Sequence, residues 1–136
     1  MKTGIKPMNP DGLSKNPAFS QLIVTQGKGK TIYIGGQDAV KSNGEIVGKG
    51  DIQAQTEQVM QNIQTALSAC EATFDNVVKL TVFIVAGQNV GAAFQAAQKY
   101  MISASNPPTV TVVFVSALGN PDFLVEVDAI AFLPET

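Results

Sequence analysis

Two carboxylates, Glu126 and Asp128, stand two residues apart in the run Val125-Glu126-Val127-Asp128-Ala129. In an extended chain that spacing puts both acids on one face and the apolar residues on the other. Acids so placed can exchange protons or orient a water, and a solvated strand face is the plainer alternative. A second feature is Gly35-Gly36-Gln37, which closes an apolar stretch. Missing side chains there either let a ligand approach the backbone or mark a bulge or turn. Gly27-Lys28-Gly29-Lys30 has neither the full spacing nor the following helix of a phosphate loop. The single cysteine, Cys70, falls on the apolar stripe of a helical pattern with no histidine or arginine to lower its pKa, and is expected to pack as a small hydrophobe.

What is missing narrows the chemistry further. The 136 residues contain no histidine, and all nine basic residues are lysines. Without histidine and with one cysteine there is no zinc or iron ligand set and no internal disulfide, so neither a metal nor any other cofactor is expected. Scattered lysines and a net charge of −2 offer no basic patch to neutralise phosphates, so nucleic acid is not an expected partner. No apolar run is long enough to span a bilayer, and Met1 to Gly12 lacks the apolar stretch of a signal peptide, so a cytoplasmic protein with no membrane partner is expected.

These residues need a scaffold, and the patterning describes one domain over 1–136. Residues 1–17, with Pro7, Pro10, Pro17, Gly4 and Gly12, read as an extended or turn-rich lead-in. Phe19 to Thr25 and Thr31 to Gly35 read as two strands joined as an antiparallel hairpin. Glu45 to Val47 is either a short edge strand or a loop. From Asp51, a plausible N-cap, Ile52, Val59, Met60, Ile63, Ala66 and Leu67 recur at helical steps. Val77 to Val85 is apolar and β-branched, as in a strand covered on both faces.

Val90, Ala93, Phe94, Ala97, Tyr100 and Met101 mark a second helix, which Pro107 and Pro108 stop. Thr109 to Ser116 and Phe123 to Phe132 complete the set as two further buried strands. Two helices can cover one face of such a sheet and not both. With 45% hydrophobic and 15% charged residues, the other face is expected to be covered by further copies of the chain.

In order and spacing, five segments resemble the RidA/YjgF family of small enamine and imine deaminases. They are Pro17 to Gln21, Thr31 to Gln37, Gln55 to Leu67 with Asn62 inside it, Asp75 to Phe83, and Val125 to Ala131. The resemblance covers most of the chain from Pro17 onward. It implies an α+β, chorismate-mutase-like fold, a mixed sheet with two helices on one face, assembled as a homotrimeric barrel with clefts between subunits. In deaminating members, an arginine clamps the carboxylate of a 2-imino acid and a glutamate places water. The resemblance assigns that glutamate to Glu126, as the catalytic residue, and gives Gly36 and Gln37 to the cleft. Where the family has arginine this chain has Thr109. Thr111 replaces a cysteine, Phe19 a tyrosine, Gly35 a serine, and Phe94 an asparagine on the second helix.

Loss of a two-pronged guanidinium contact implies that 2-imino acid deamination is weak or lost, because a lysine such as Lys79 does not restore the fork geometry. The first expectation is a protein binding a small metabolite at the clefts of a homotrimer. Its alternatives are a deaminase of altered specificity that releases ammonia, and a trimeric interaction or chaperone-like protein.

Overall fold

The alternation in Val125–Pro134 organises the sheet. Val125, Val127, Ala129 and Ala131 are buried on one face while Glu126, Asp128 and Ile130 are half-buried on the other. The computed structural model describes residues 4–101 and 107–136. Its strands, in chain order, are β1 (Ile5–Met8), β2 (Leu22–Thr25), β3 (Gly29–Gln37), β4 (Val77–Val85), β5 (Thr109–Val115) and β6 (Val125–Pro134). Its α-helices are α1 (Ile52–Ala69) and α2 (Val90–Met101), and a single 3-10 turn, Phe74–Asn76, leads into β4. Four strands form one sheet in the order β3-β6-β4-β5, with β4 and β5 parallel and the other pairs antiparallel. The parallel pair requires a crossover, which α2 supplies. The result is a mixed α+β sheet with both helices on the face of Val125, Val127 and Ala129.

Helix α1 starts where its cap is written into the sequence: Asp51 Oδ1 accepts from the Ala54 N–H at 3.1 Å. Its stripe of Ile52, Val59, Met60, Ile63 and Leu67 is buried against the sheet. Gln55, unexpectedly, is wholly buried on the same helix. Its amide nitrogen donates to the carbonyls of Gly48 (3.2 Å) and Asp122 (2.8 Å), and its oxygen accepts from the Leu124 N–H at 2.8 Å. That one side chain ties the start of α1 to the approach of β6. Replacing Gln55 with leucine removes the partner of three half-buried backbone groups and is expected to cost about 1–3 kcal/mol of unfolding free energy, measurable by urea denaturation.

Several sequence expectations are corrected. The lead-in carries β1, which pairs antiparallel with β2 in register Ile5↔Thr25 to Met8↔Leu22, so ordered structure begins before Phe19. Strands β2 and β3 do not form a hairpin, because β2 is taken by β1 and β3 pairs with β6. Pro7 is tolerated because each strand of a two-stranded ribbon is an edge. Cys70 is exposed, since α1 ends there with its N–H bonded to the Leu67 carbonyl. The stretch around Glu45 is a loop with a single bridge, Val40↔Ile46.

Strand β4 is central as expected, but β5 is an edge strand with exposed residues on both faces. Val112, Val113 and Phe114 are 36%, 37% and 57% exposed. The expected stop of α2 by Pro107 and Pro108 involves the connection at 102–106, outside the described residues. No described helix is long and apolar enough to cross a membrane.

Candidate functional site

The uncovered sheet face carries two groups of polar residues. The first is built by a defect in the β3–β6 ladder. Ile34 pairs with Ala129 but Gln37 with Val127, so β3 holds one extra residue across Gly35-Gly36. This is the bulge anticipated as one reading of that tripeptide. The close approach it permits is by a side chain of the protein itself. A Cβ on Gly36 would lie 2.5 Å from Glu126 Oε2, so glycine is what allows the Glu126 carboxylate to lie against the β3 backbone. Gln37 turns its amide back on the Gly35 carbonyl at 3.2 Å, which holds the bulge closed.

Sequence reasoning missed the next residue. Asp38 follows Gln37, and the register that pairs Gln37 with Val127 brings Asp38 level with Glu126. Asn62 from α1 donates to the backbone carbonyls of Asp38 (3.1 Å) and Val40 (3.0 Å), fixing the chain as it leaves β3. Burial, a side-chain hydrogen bond with Glu126 and the Glu126 charge together push the Asp38 carboxyl from its ordinary 3.8 to about 7. Asp38 Oδ1 is shielded from solvent and receives no hydrogen bond from a donor among the described residues. The two facts agree if the carboxyls face each other, since two acceptor oxygens make a hydrogen bond only when one carries a proton. An acid directly after a glycine bulge at the end of an apolar strand was the available signal.

The second group lies at the other end of the same face. Lys79 on β4 donates to Thr111 Oγ1 on β5 at 2.8 Å, so this lysine is held on the uncovered face. The Thr109 hydroxyl donates to the Val78 carbonyl at 2.6 Å. Ser20, next to Phe19, is buried; it bonds the Pro107 carbonyl through its hydroxyl (2.6 Å) and the Pro108 carbonyl through its N–H (3.0 Å). Phe19 and Thr109 are thereby brought to one end of the sheet.

A single chain does not unite the two groups. Glu126 is level with Phe83 and Thr109 with Lys79, two strands apart, which places their backbones about 16 Å from each other. Phe94 is on the opposite side of the sheet, over a small apolar hollow with Leu80, Val82, Val125 and Val127. A larger hollow among the described residues lies elsewhere, among Gln64, Leu67, Thr73, Phe74 and Tyr100. Glu126 and Thr109 line neither cavity, as befits residues on an open sheet face.

Gly36→Ala tests the geometry at the bulge. The clashing atoms are the end of a flexible side chain, so the fold is expected to survive while the Glu126 carboxylate is displaced. Amide shifts confined to residues around Glu126, with an unfolding free energy lowered by at most about 1–2 kcal/mol, would bear this out.

Comparison with known proteins matches this architecture. The sequence model of the family described as endoribonuclease L-PSP matches residues 13–133. A RutC family protein of Pyrococcus horikoshii is 34% identical over 93% of this chain and 90% of its own length. The 2-iminobutanoate/2-iminopropanoate deaminase of Rattus norvegicus is 30% identical over 84% of this chain and 79% of its own. Among solved structures, a protein of the conserved Rid family from Yersinia pestis superposes with a TM-score of 0.85 at 31% identity, covering 96% of this chain and all of that one. The bulge beside Glu126, the two helices on one face of a β3-β6-β4-β5 sheet and these matches agree: the chain belongs to the RidA/YjgF family, the group whose sequence model is described as endoribonuclease L-PSP.

Proposed function

We propose that this protein binds a small metabolite in clefts between the copies of a homotrimer, with Glu126 as the acid of the cleft and with 2-imino acid deamination weak or lost. The observation that carries this is the pairing of a retained Glu126 with a chain that has no arginine at all. At the position matched to the clamp, the Thr109 hydroxyl is spent on the Val78 carbonyl, so it does not reach for a ligand. Phe19, Gly35 and Thr111, substituted positions on the side of the site, make the cleft less polar than that of a deaminase. Assembly is supported by the exposed Phe114 and Val113 on an edge strand and by Tyr33, 77% exposed on the uncovered face.

The separation of Glu126 from Thr109 supports a cleft completed by a second copy. The cleft reading is preferred to the chaperone-like one because Glu126 and Asp38 are held by a built bulge rather than spread over a surface. A second reading, deamination of an imine without a carboxylate, is favoured by Asp38 beside Glu126. The test is to titrate the trimer with small amines and oxo compounds while following backbone amide shifts. Shifts clustered at Gly36, Gln37 and the Thr109 end of β5 are expected. Shifts only on the outer faces of α1 and α2, or none, would overturn the assignment.

A further inference from the structure

We infer that Asn43 is a covalent modification site: its side-chain amide is attacked by the Gly44 nitrogen, loses ammonia and ends as isoaspartate or aspartate. Such an attack needs a following residue whose nitrogen carries a hydrogen and whose side chain does not hinder ring closure. Of eight asparagines, four (Asn9, Asn16, Asn106 and Asn120) precede proline, which has no N–H to give up. Three more precede the branched residues Ile63, Val77 and Val90, and each is held in place. Asn62 lies inside α1 and donates to the Asp38 and Val40 carbonyls. Asn76 is buried, donates to the Phe132 carbonyl and accepts from the Thr73 N–H. Asn89 accepts from the Ala92 N–H at the start of α2. Asn43 alone is followed by glycine.

The fold leaves this pair open to water. Residues 41–45 form a tight turn closed by two bonds of 2.9 Å, from the Lys41 N–H to the Glu45 carbonyl and from the Gly44 N–H to the Lys41 carbonyl. Every residue of the turn is exposed. Gly44 has φ +87° and open space where a Cβ would stand, so no neighbour bars the side chain from its nitrogen. Asn43 Oδ1 accepts from the Glu45 N–H at 2.9 Å. That bond folds the amide over the Gly44 peptide and draws electron density from Cγ. One contact opposes reaction, because the Gly44 nitrogen must surrender the proton it donates to Lys41. A single exposed backbone hydrogen bond is worth about a two- to ten-fold retardation, and an exposed turn opens at little cost. The turn slows the reaction without stopping it.

The Gly44 nitrogen, deprotonated by hydroxide, bonds to Asn43 Cγ. The Cγ–Nδ2 bond then breaks, and the amide nitrogen leaves as ammonia, its third hydrogen making good the one Gly44 lost. Water opens the resulting five-membered succinimide at either carbonyl, which gives aspartate, or isoaspartate with the main chain rerouted through the former side chain. Isoaspartate lengthens the main chain by a methylene inside the turn, and either product adds a carboxylate to the turn that pairs Lys41 with Glu45 at 3.8 Å.

The experiment incubates the full chain, folded and in urea, at mildly alkaline pH and follows the tryptic peptide Ser42 to Lys49 by mass spectrometry, with synthetic standards to separate the aspartyl and isoaspartyl forms. Asn43 is expected to convert before any other asparagine, to both products, at a rate that rises with hydroxide. In the folded chain the rate should be about two- to ten-fold below that in urea. Asn43→Gln, whose longer side chain must close a six-membered ring, should stay intact in both states. Aspartate without isoaspartate would mean direct hydrolysis and overturn the attack by Gly44. Earlier conversion of Asn62, Asn76 or Asn89 would overturn the choice of site. A folded chain wholly intact when the unfolded chain has converted would overturn Asn43 as a site in the native protein, and equal rates in the two states would overturn the restraint assigned to the Lys41 bond.

Discussion

Thr109→Arg is expected to raise the kcat/KM for 2-iminobutyrate by about 10- to 100-fold over wild type, the worth of a charge-assisted two-pronged contact of roughly 1.5–3 kcal/mol. Thr109 opens β5 beside the buried Pro108 and is itself half-buried on the uncovered face, so a longer side chain there can leave the sheet without entering the core. The substitution gives up the hydroxyl bond to Val78, at a cost of about 1 kcal/mol in subunit stability. Recovery is expected to be partial, because Gly35 and Phe94 also depart from the deaminase pattern and a clamp needs supporting contacts. The assay couples a dehydratase that generates the imine to a readout of its decay. Adding Glu126→Ala to Thr109→Arg should remove the gain. A gain that survives that second substitution would mean that the arginine acts without the glutamate.

Phe114→Asp is expected to abolish assembly while leaving the subunit folded. In one chain Phe114 is 57% exposed on an edge strand, so the substitution costs the isolated subunit little. In an assembly that covers β5 it buries an unpaired carboxylate in each copy, a penalty of several kcal/mol per interface. Light scattering should show wild type near three times 14.3 kDa and the variant near one, with helical circular dichroism preserved in both. A wild type that is monomeric at micromolar concentration, or a variant that remains trimeric, would contradict the assembly and with it the shared cleft.

What could be read in the sequence is what depends on near neighbours. Helix α1 was legible because its period and its Asp51 cap lie within one segment, and the two faces of β6 were legible because a strand has period two. Partnering was not. Whether β2 pairs with β3 or with β1 is decided by which edge is free in three dimensions, and the prolines of the lead-in hid β1. Gln55 was passed over because amphipathic patterning treats glutamine as solvated, whereas its three bonds reach residues as far away as Leu124. Cys70 fits the apolar stripe by its spacing, but the helix ends under it.

At the site, Glu126, Gly36 and Gln37 were named by resemblance to the family, and the bulge was open as an alternative. Asp38 could not be placed beside Glu126 until the extra residue in β3 fixed the register. The same nonlocality explains why Thr109 and Glu126, assigned to one cleft from sequence, lie at opposite ends of a single subunit's sheet.

A family site without its arginine is expected to turn over 2-imino acids weakly or not at all, and the decay of dehydratase-generated 2-iminobutyrate with wild-type protein tests this directly. A rate within about two-fold of the protein-free reaction is expected, since the chain has no guanidinium to clamp the substrate carboxylate with two parallel bonds. A large acceleration by wild type that disappears in Glu126→Ala would contradict it.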